Sequence, residues 1–162
     1  MPLDEKSQWA YQVRSPLHEA VLEVAVEGRA PVGSFSGWRL SGPAGESTLA
    51  WQNGVLYAGK LSGTTYVPPI PLLATDQKPR AWKGQIIVAG AASTARANLE
   101  FKEEETQVGT KSVTATLSIL TLTLEEGQIE IMTWFSSGLG IIRQEQRESG
   151  SLSRKLTYLS GP

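Results

Sequence analysis

The stretch LTLTLEEGQIEIMTW (residues 120–134) decides the fold class. Leu120, Leu122 and Leu124 alternate with Thr121 and Thr123, and beyond Gly127 the residues Ile129 and Ile131 flank Glu130. In a strand, successive side chains point to opposite faces, so this alternation describes two strands, each with one wet and one dry face. A turn at Glu126-Gly127 would set Leu124 against Ile129, Leu122 against Ile131 and Thr123 against Glu130, so apolar meets apolar across the pair.

The same period recurs outward from this hairpin. In TARANLEF, Ala95, Ala97, Leu99 and Phe101 share a face opposite Thr94, Arg96, Asn98 and Glu100. In VLEVAVEG, Leu22, Val24 and Val26 oppose Glu23 and Glu27, and the valines favour a strand over a helix. TLAWQNGVLYAG places Asn53-Gly54, the strongest short hairpin signal, between alternating runs, pairing Gln52 with Val55 and Trp51 with Leu56. Along residues 113–119 the apolar positions are odd-numbered, and from Leu120 they are even-numbered. A one-residue slip exchanges the faces, so a bulge or sheet corner is expected near Ile119-Leu120. The alternative is a central stretch covered on both sides. Pro68, Pro69 and Pro71 cannot donate to a ladder. Their segment reads as an extended, partly polyproline-like crossing, with a strand resuming at about residue 82. The expectation is one all-β domain over residues 1–162: a single antiparallel, strongly curved sheet, half-barrel or barrel, of eight to eleven strands.

Composition narrows the function. The 162 residues suffice for one domain burying roughly 70% of its unfolded surface. Fifteen basic against sixteen acidic residues give a net charge of −1, no general attraction to nucleic acid or anionic membrane. The absence of cysteine removes disulfides, thiolate nucleophiles and Cys-ligated zinc. No apolar run approaches the roughly 20 residues of a membrane helix. The opening MPLDEKSQWAYQ has neither a basic start nor an apolar segment and does not read as a signal peptide. The expected location is the periplasm or cell envelope if a leader has been removed, and the cytoplasm otherwise.

Candidate chemistry is sparse. TWFSSGLGIIRQ (residues 133–144) carries Gly138 and Gly140, but a dinucleotide fingerprint needs glycine where Arg143 stands, and a helix to follow. GSFSG (residues 33–37) has Phe35 where a nucleophilic serine would sit. Gly138 and Gly140 are therefore expected to serve a backbone bend. His18 is the only histidine, and Asp4 and Asp76 are the only aspartates available for a triad. Glu103, Glu104 and Glu105 read as a solvated turn. No catalytic residue, metal site or cofactor is predicted. The aromatics Trp9, Trp38, Trp51, Tyr57, Trp82, Phe101, Trp134 and Phe135 either fill a curved sheet's concave face or line a cavity. Trp51, Tyr57, Trp82, Phe101, Trp134 and Phe135 are the candidate ligand contacts.

The C-terminal half resembles a family of bacterial exported proteins and lipoproteins. The resemblance rests on Trp134-Phe135, then Gly138-Leu139-Gly140-Ile141-Ile142-Arg143, then Leu156 and Tyr158 in a last strand. The proline stretch before Trp82 also resembles that family's middle segment. The resemblance implies a curved sheet or barrel like that of lipoprotein carriers and brings no catalytic residues; the family's signal and lipobox cysteine have no counterpart at this chain's start. The resulting expectation is a non-catalytic envelope binding or scaffolding domain with a lipid or other apolar ligand. Two rivals stand beside it. One is an interaction module docking an envelope protein at a strand edge or at residues 67–74. The other is a hydrolase using glutamates, or serine with His18.

Overall fold

A computed structural model describes residues 3–161. It contains twelve strands joined in sequence order into one closed antiparallel barrel. The strands are β1 (Gln8–Ser15), β2 (His18–Val32), β3 (Phe35–Ser41), β4 (Ser47–Gln52), β5 (Val55–Leu61), β6 (Thr64–Ala74), β7 (Arg80–Val88), β8 (Ala91–Val108), β9 (Lys111–Leu124), β10 (Gly127–Ser136), β11 (Gly140–Glu148) and β12 (Ser151–Ser160). Closure comes from β1 pairing with β12, Tyr11 opposite Tyr158 and Val13 opposite Leu156. Successive strands run in opposite directions, so turns alternate between the two barrel ends.

Alternation places the apolar residues inside. Trp9, Tyr11, Val26, Leu40, Leu49, Leu56, Tyr66, Ile70, Trp82, Ile86, Leu99, Leu120, Leu122 and Phe135 belong to one buried cluster. The other face carries exposed Glu23, Arg96, Asn98 and Thr123. A barrel that spans lipid has the reverse arrangement, apolar outside.

The Asn53-Gly54 hairpin has the expected register, with Gln52 on Val55 and Trp51 on Leu56. Both turn residues have positive φ, 50° and 75°, as a type I′ turn requires. The second hairpin differs from its expected register by two residues. Glu125-Glu126 form the turn, Gly127 pairs with Leu124, and Ile129 faces Leu122. A shift of two leaves every side chain on its own face, so apolar alternation cannot separate the two registers.

The bulge expected at Ile119-Leu120 is not there. β9 pairs with β8 and with β10 through this point without a register shift. Instead the strand is covered on both sides. Leu120 and Leu122 enter the main core, while Ala115 and Leu117 join Trp134 and Ile142 in a second, smaller cluster. A register shift does occur across β10, in β11: Trp134 pairs with Arg143 and Phe135 with Ile141, leaving Ile142 as the extra residue.

The proline segment is likewise a strand, not a crossing outside the sheet. β6 pairs with β5 up to Val55–Ala74, but its ladder with β7 stops at Val67–Gln85. The prolines occupy the stretch where no β7 partner exists. Glu103, Glu104 and Glu105 lie within strand β8 rather than in a turn.

Candidate binding surfaces

The barrel interior is a packed core. Trp9, Leu56, Ile70 and Leu99 are among its most completely buried side chains. Tyr66 and Trp82 meet edge to face at 6.1 Å, and Tyr11 meets Tyr158 at 6.4 Å. Burial pushes the Tyr66 hydroxyl up to about 12, and burial together with Tyr158 raises that of Tyr11. One interior layer is polar. Gln144 Nε2 donates to Thr133 Oγ1 at 3.0 Å, and buried Ser118 Oγ donates to the Leu72 carbonyl at 2.6 Å.

That last bond belongs to a seam in the wall. Where β6 parts from β7, Trp82 Nε1 donates to the Pro68 carbonyl at 3.0 Å and Ser118 Oγ takes Leu72. Prolines at 68, 69 and 71 have no N–H to leave unpaired. The edge is closed by side chains instead of a strand. Gly84 on β7 permits the approach, because a Cβ there would overlap the Val67 carbonyl and the Trp82 ring.

The outer face of β10–β12 holds a charged network. Glu145 is 6% exposed. Arg143 Nε reaches it at 3.1 Å and Nη2 at 2.5 Å, with Lys155 at 3.6 Å and Arg147 at 3.7 Å. Burial raises the Glu145 carboxyl, but the Arg143 hydrogen bonds and the charges of Arg143 and Lys155 outweigh it and hold the group below its usual range. The Arg143 guanidinium also lies 4.4 Å from the centroid of the Trp134 ring. Trp134 Nε1 donates to Glu104 on β8. This network ties the β8–β9 hairpin to the far strands of the wall.

Two clefts of about 620 Å³ and 520 Å³ open on the surface. The first lies among Lys6, Gln8, Trp9, Glu23, Ser41 and Ser160. Beside it Ser7 Oγ is buried with no hydrogen-bond partner among the described residues. The second lies between the β2–β3 turn and β4–β6, with Arg39, Glu46, Lys60 and Tyr66 on its walls.

The six aromatics expected to contact a ligand do not share one site. Trp82 and Phe135 are buried in the main core, with Phe101 packed against it. Trp134 belongs to the second cluster. Tyr57 packs on Phe35 at 5.4 Å, and Trp51 is 36% exposed. Gly138 and Gly140 have φ of 79° and 87° on either side of Leu139, whose carbonyl accepts from Trp9 Nε1 at 2.9 Å. Gly138 stands in the turn after β10, and Gly140 opens β11. His18 sits at the β1–β2 turn. Asp76, held by Arg80 at 2.9 Å, lies in the β6–β7 turn at the opposite end, and Asp4 precedes β1 at that same end. No Ser-His-Asp triad can assemble from these residues. Among the described residues, no three His, Asp or Glu side chains form a metal-binding group.

No protein-family model matches the chain, and no curated protein matches its sequence. Its fold does recur. A candidate lipoprotein of Parabacteroides distasonis matches 99% of this chain and 97% of its own, with TM-score 0.61 and 12% identity. A candidate exported protein with a YmcC-like fold from Bacteroides fragilis covers the same shares with TM-score 0.57 and 11% identity. The likeness is one of fold over the whole chain, not of the C-terminal motif.

Proposed function

We propose that this is a non-catalytic binding or scaffolding protein of the bacterial cell envelope, acting through its outer surface on a protein partner. One observation carries the choice of surface. The interior is already occupied by the chain's own side chains, Trp9, Leu56, Ile70 and Leu99 among them. A ligand inside would have to displace close-packed groups. The envelope assignment is supported by the fold shared with the exported protein and the lipoprotein.

A second reading, an apolar ligand, is favoured by the seam between β6 and β7. The wall there is held by two side-chain hydrogen bonds. Trp82, Phe101 and Phe135 would then line the ligand, Trp51, opposite Leu56 on the inner face, would stand at the barrel end, and Tyr57 and Trp134 would lie outside it.

The test is photocrosslinking in the native host from single positions around the wall, Val21, Lys83 and Glu103, with cell fractionation. A discrete protein adduct in the envelope fraction is expected. A cytosolic protein giving no adduct from any position would overturn the proposal.

A further inference from the structure

Although the barrel closes, β6 beyond Val67 and β8 beyond Leu99 each have a stretch with no partner on β7, and the two edges differ. On β6 the unpaired stretch is closed: prolines remove donors, and Trp82 and Ser118 take two carbonyls. On β8 it is open. Pairing with β7 ends at Arg80–Leu99, whereas pairing with β9 continues to Val108–Lys111. Residues 100–108 thus have a strand on one edge only. They extend about 30 Å, contain no proline, and turn every second N–H and C=O outward. Phe101 keeps the base of this projection on the main core, and Trp134 through Glu104 holds its middle. The edge is therefore presented in a fixed extended form.

Its charge selects what can pair with it. Glu100, Glu103, Glu104 and Glu105 stand against Lys102. Like charges directly opposite one another destabilise a strand pair, and opposite charges stabilise it. A second copy of this edge is repelled, whereas a basic strand is matched on both faces.

We propose that residues 100–108 of β8 form a strand-addition site for an extended, lysine- or arginine-bearing segment of a partner protein. Main-chain hydrogen bonds supply the docking and the glutamates supply the choice of partner. The proposal rests on the protein-partner reading above.

The probe is the capped peptide Lys-Val-Lys-Thr-Lys-Val-Lys, titrated while amide hydrogen exchange is followed. Binding is expected, with new amide protection confined to residues 100–108. A peptide of the same sequence, N-methylated at alternate backbone nitrogens, should bind about tenfold or more weakly, since its charge is kept and its ladder blocked. The double variant Glu103→Lys, Glu105→Lys, checked for folding by circular dichroism, should lose about tenfold as well. No binding at millimolar peptide, protection elsewhere, or equal binding of the N-methylated peptide would overturn the proposal. Should photocrosslinking find a partner at another part of the wall while this peptide fails, the edge is refuted and the protein-partner reading stands.

Discussion

At the scale of single residues, backbone conformation and buried charge make separate demands. Gly138 has φ of 79° and open space where a Cβ would stand, so only the backbone opposes alanine there. Gly138→Ala should cost about 1 kcal/mol in denaturant unfolding, and Gly138→Asn less, because asparagine tolerates the left-handed region. An unchanged midpoint for the alanine variant would contradict the bend reading. Glu145→Gln should cost about 1–2 kcal/mol at neutral pH, at the lower end for a charge-assisted network because its cations are 37–44% exposed. The carboxyl is depressed in the folded state, so its contribution is complete above the unfolded value of about 4.3. That contribution is lost as pH falls through the lower folded value. The melting-temperature gap between wild type and Glu145→Gln should accordingly narrow below about pH 4. A gap that stays constant with pH would show that the carboxylate's charge is not what matters.

At the scale of elements, the seam is where the barrel wall should open first. Trp82→Phe removes the donor to Pro68, and Ser118→Ala the donor to Leu72. Each should cost about 1 kcal/mol, and the amides of Ile70, Leu72, Leu73 and Ala74 should exchange faster while those of β9–β10 keep their protection. Gly84→Ala should be worse than either, since its Cβ would strike backbone. Uniform loss of protection across all strands would mean that the seam is no weaker than the rest.

Elements also show what the sequence could and could not disclose. Asn53-Gly54 was legible because both residues adopt positive φ readily. Ser62-Gly63, Ala89-Gly90 and Ser149-Gly150 adopt the same double positive φ. Serine and alanine give no such signal at the first position, so those turns were hidden, and the strand count rose from eight to eleven to twelve. The second hairpin's register was ambiguous by two, because alternation repeats every two residues. The switch in phase at Ile119-Leu120 was visible, but its cause was not. A bulged strand buried on one face and a regular strand buried first on one face and then on the other have the same pattern. Proline argues against a central strand and its segment reads as a crossing, whereas here it marks the side of a strand that has no neighbour. The Glu145 network was unreadable: Arg143 and Arg147 are two residues away on either side, but Lys155 and Trp134 arrive only through the registers of β12 and β10.

At the scale of the molecule, twelve strands close into a barrel wide enough to enclose a ligand, yet large side chains fill it from both sides. Aromatic abundance alone could not decide between lining and filling. The central claim is that this barrel is a solid scaffold whose binding lies on its outside. Native mass spectrometry of protein purified gently from its own host tests it most directly. The account predicts the bare chain mass, or that mass with a bound protein. A reproducible small added mass that organic solvent strips away would contradict it and establish a ligand within the wall.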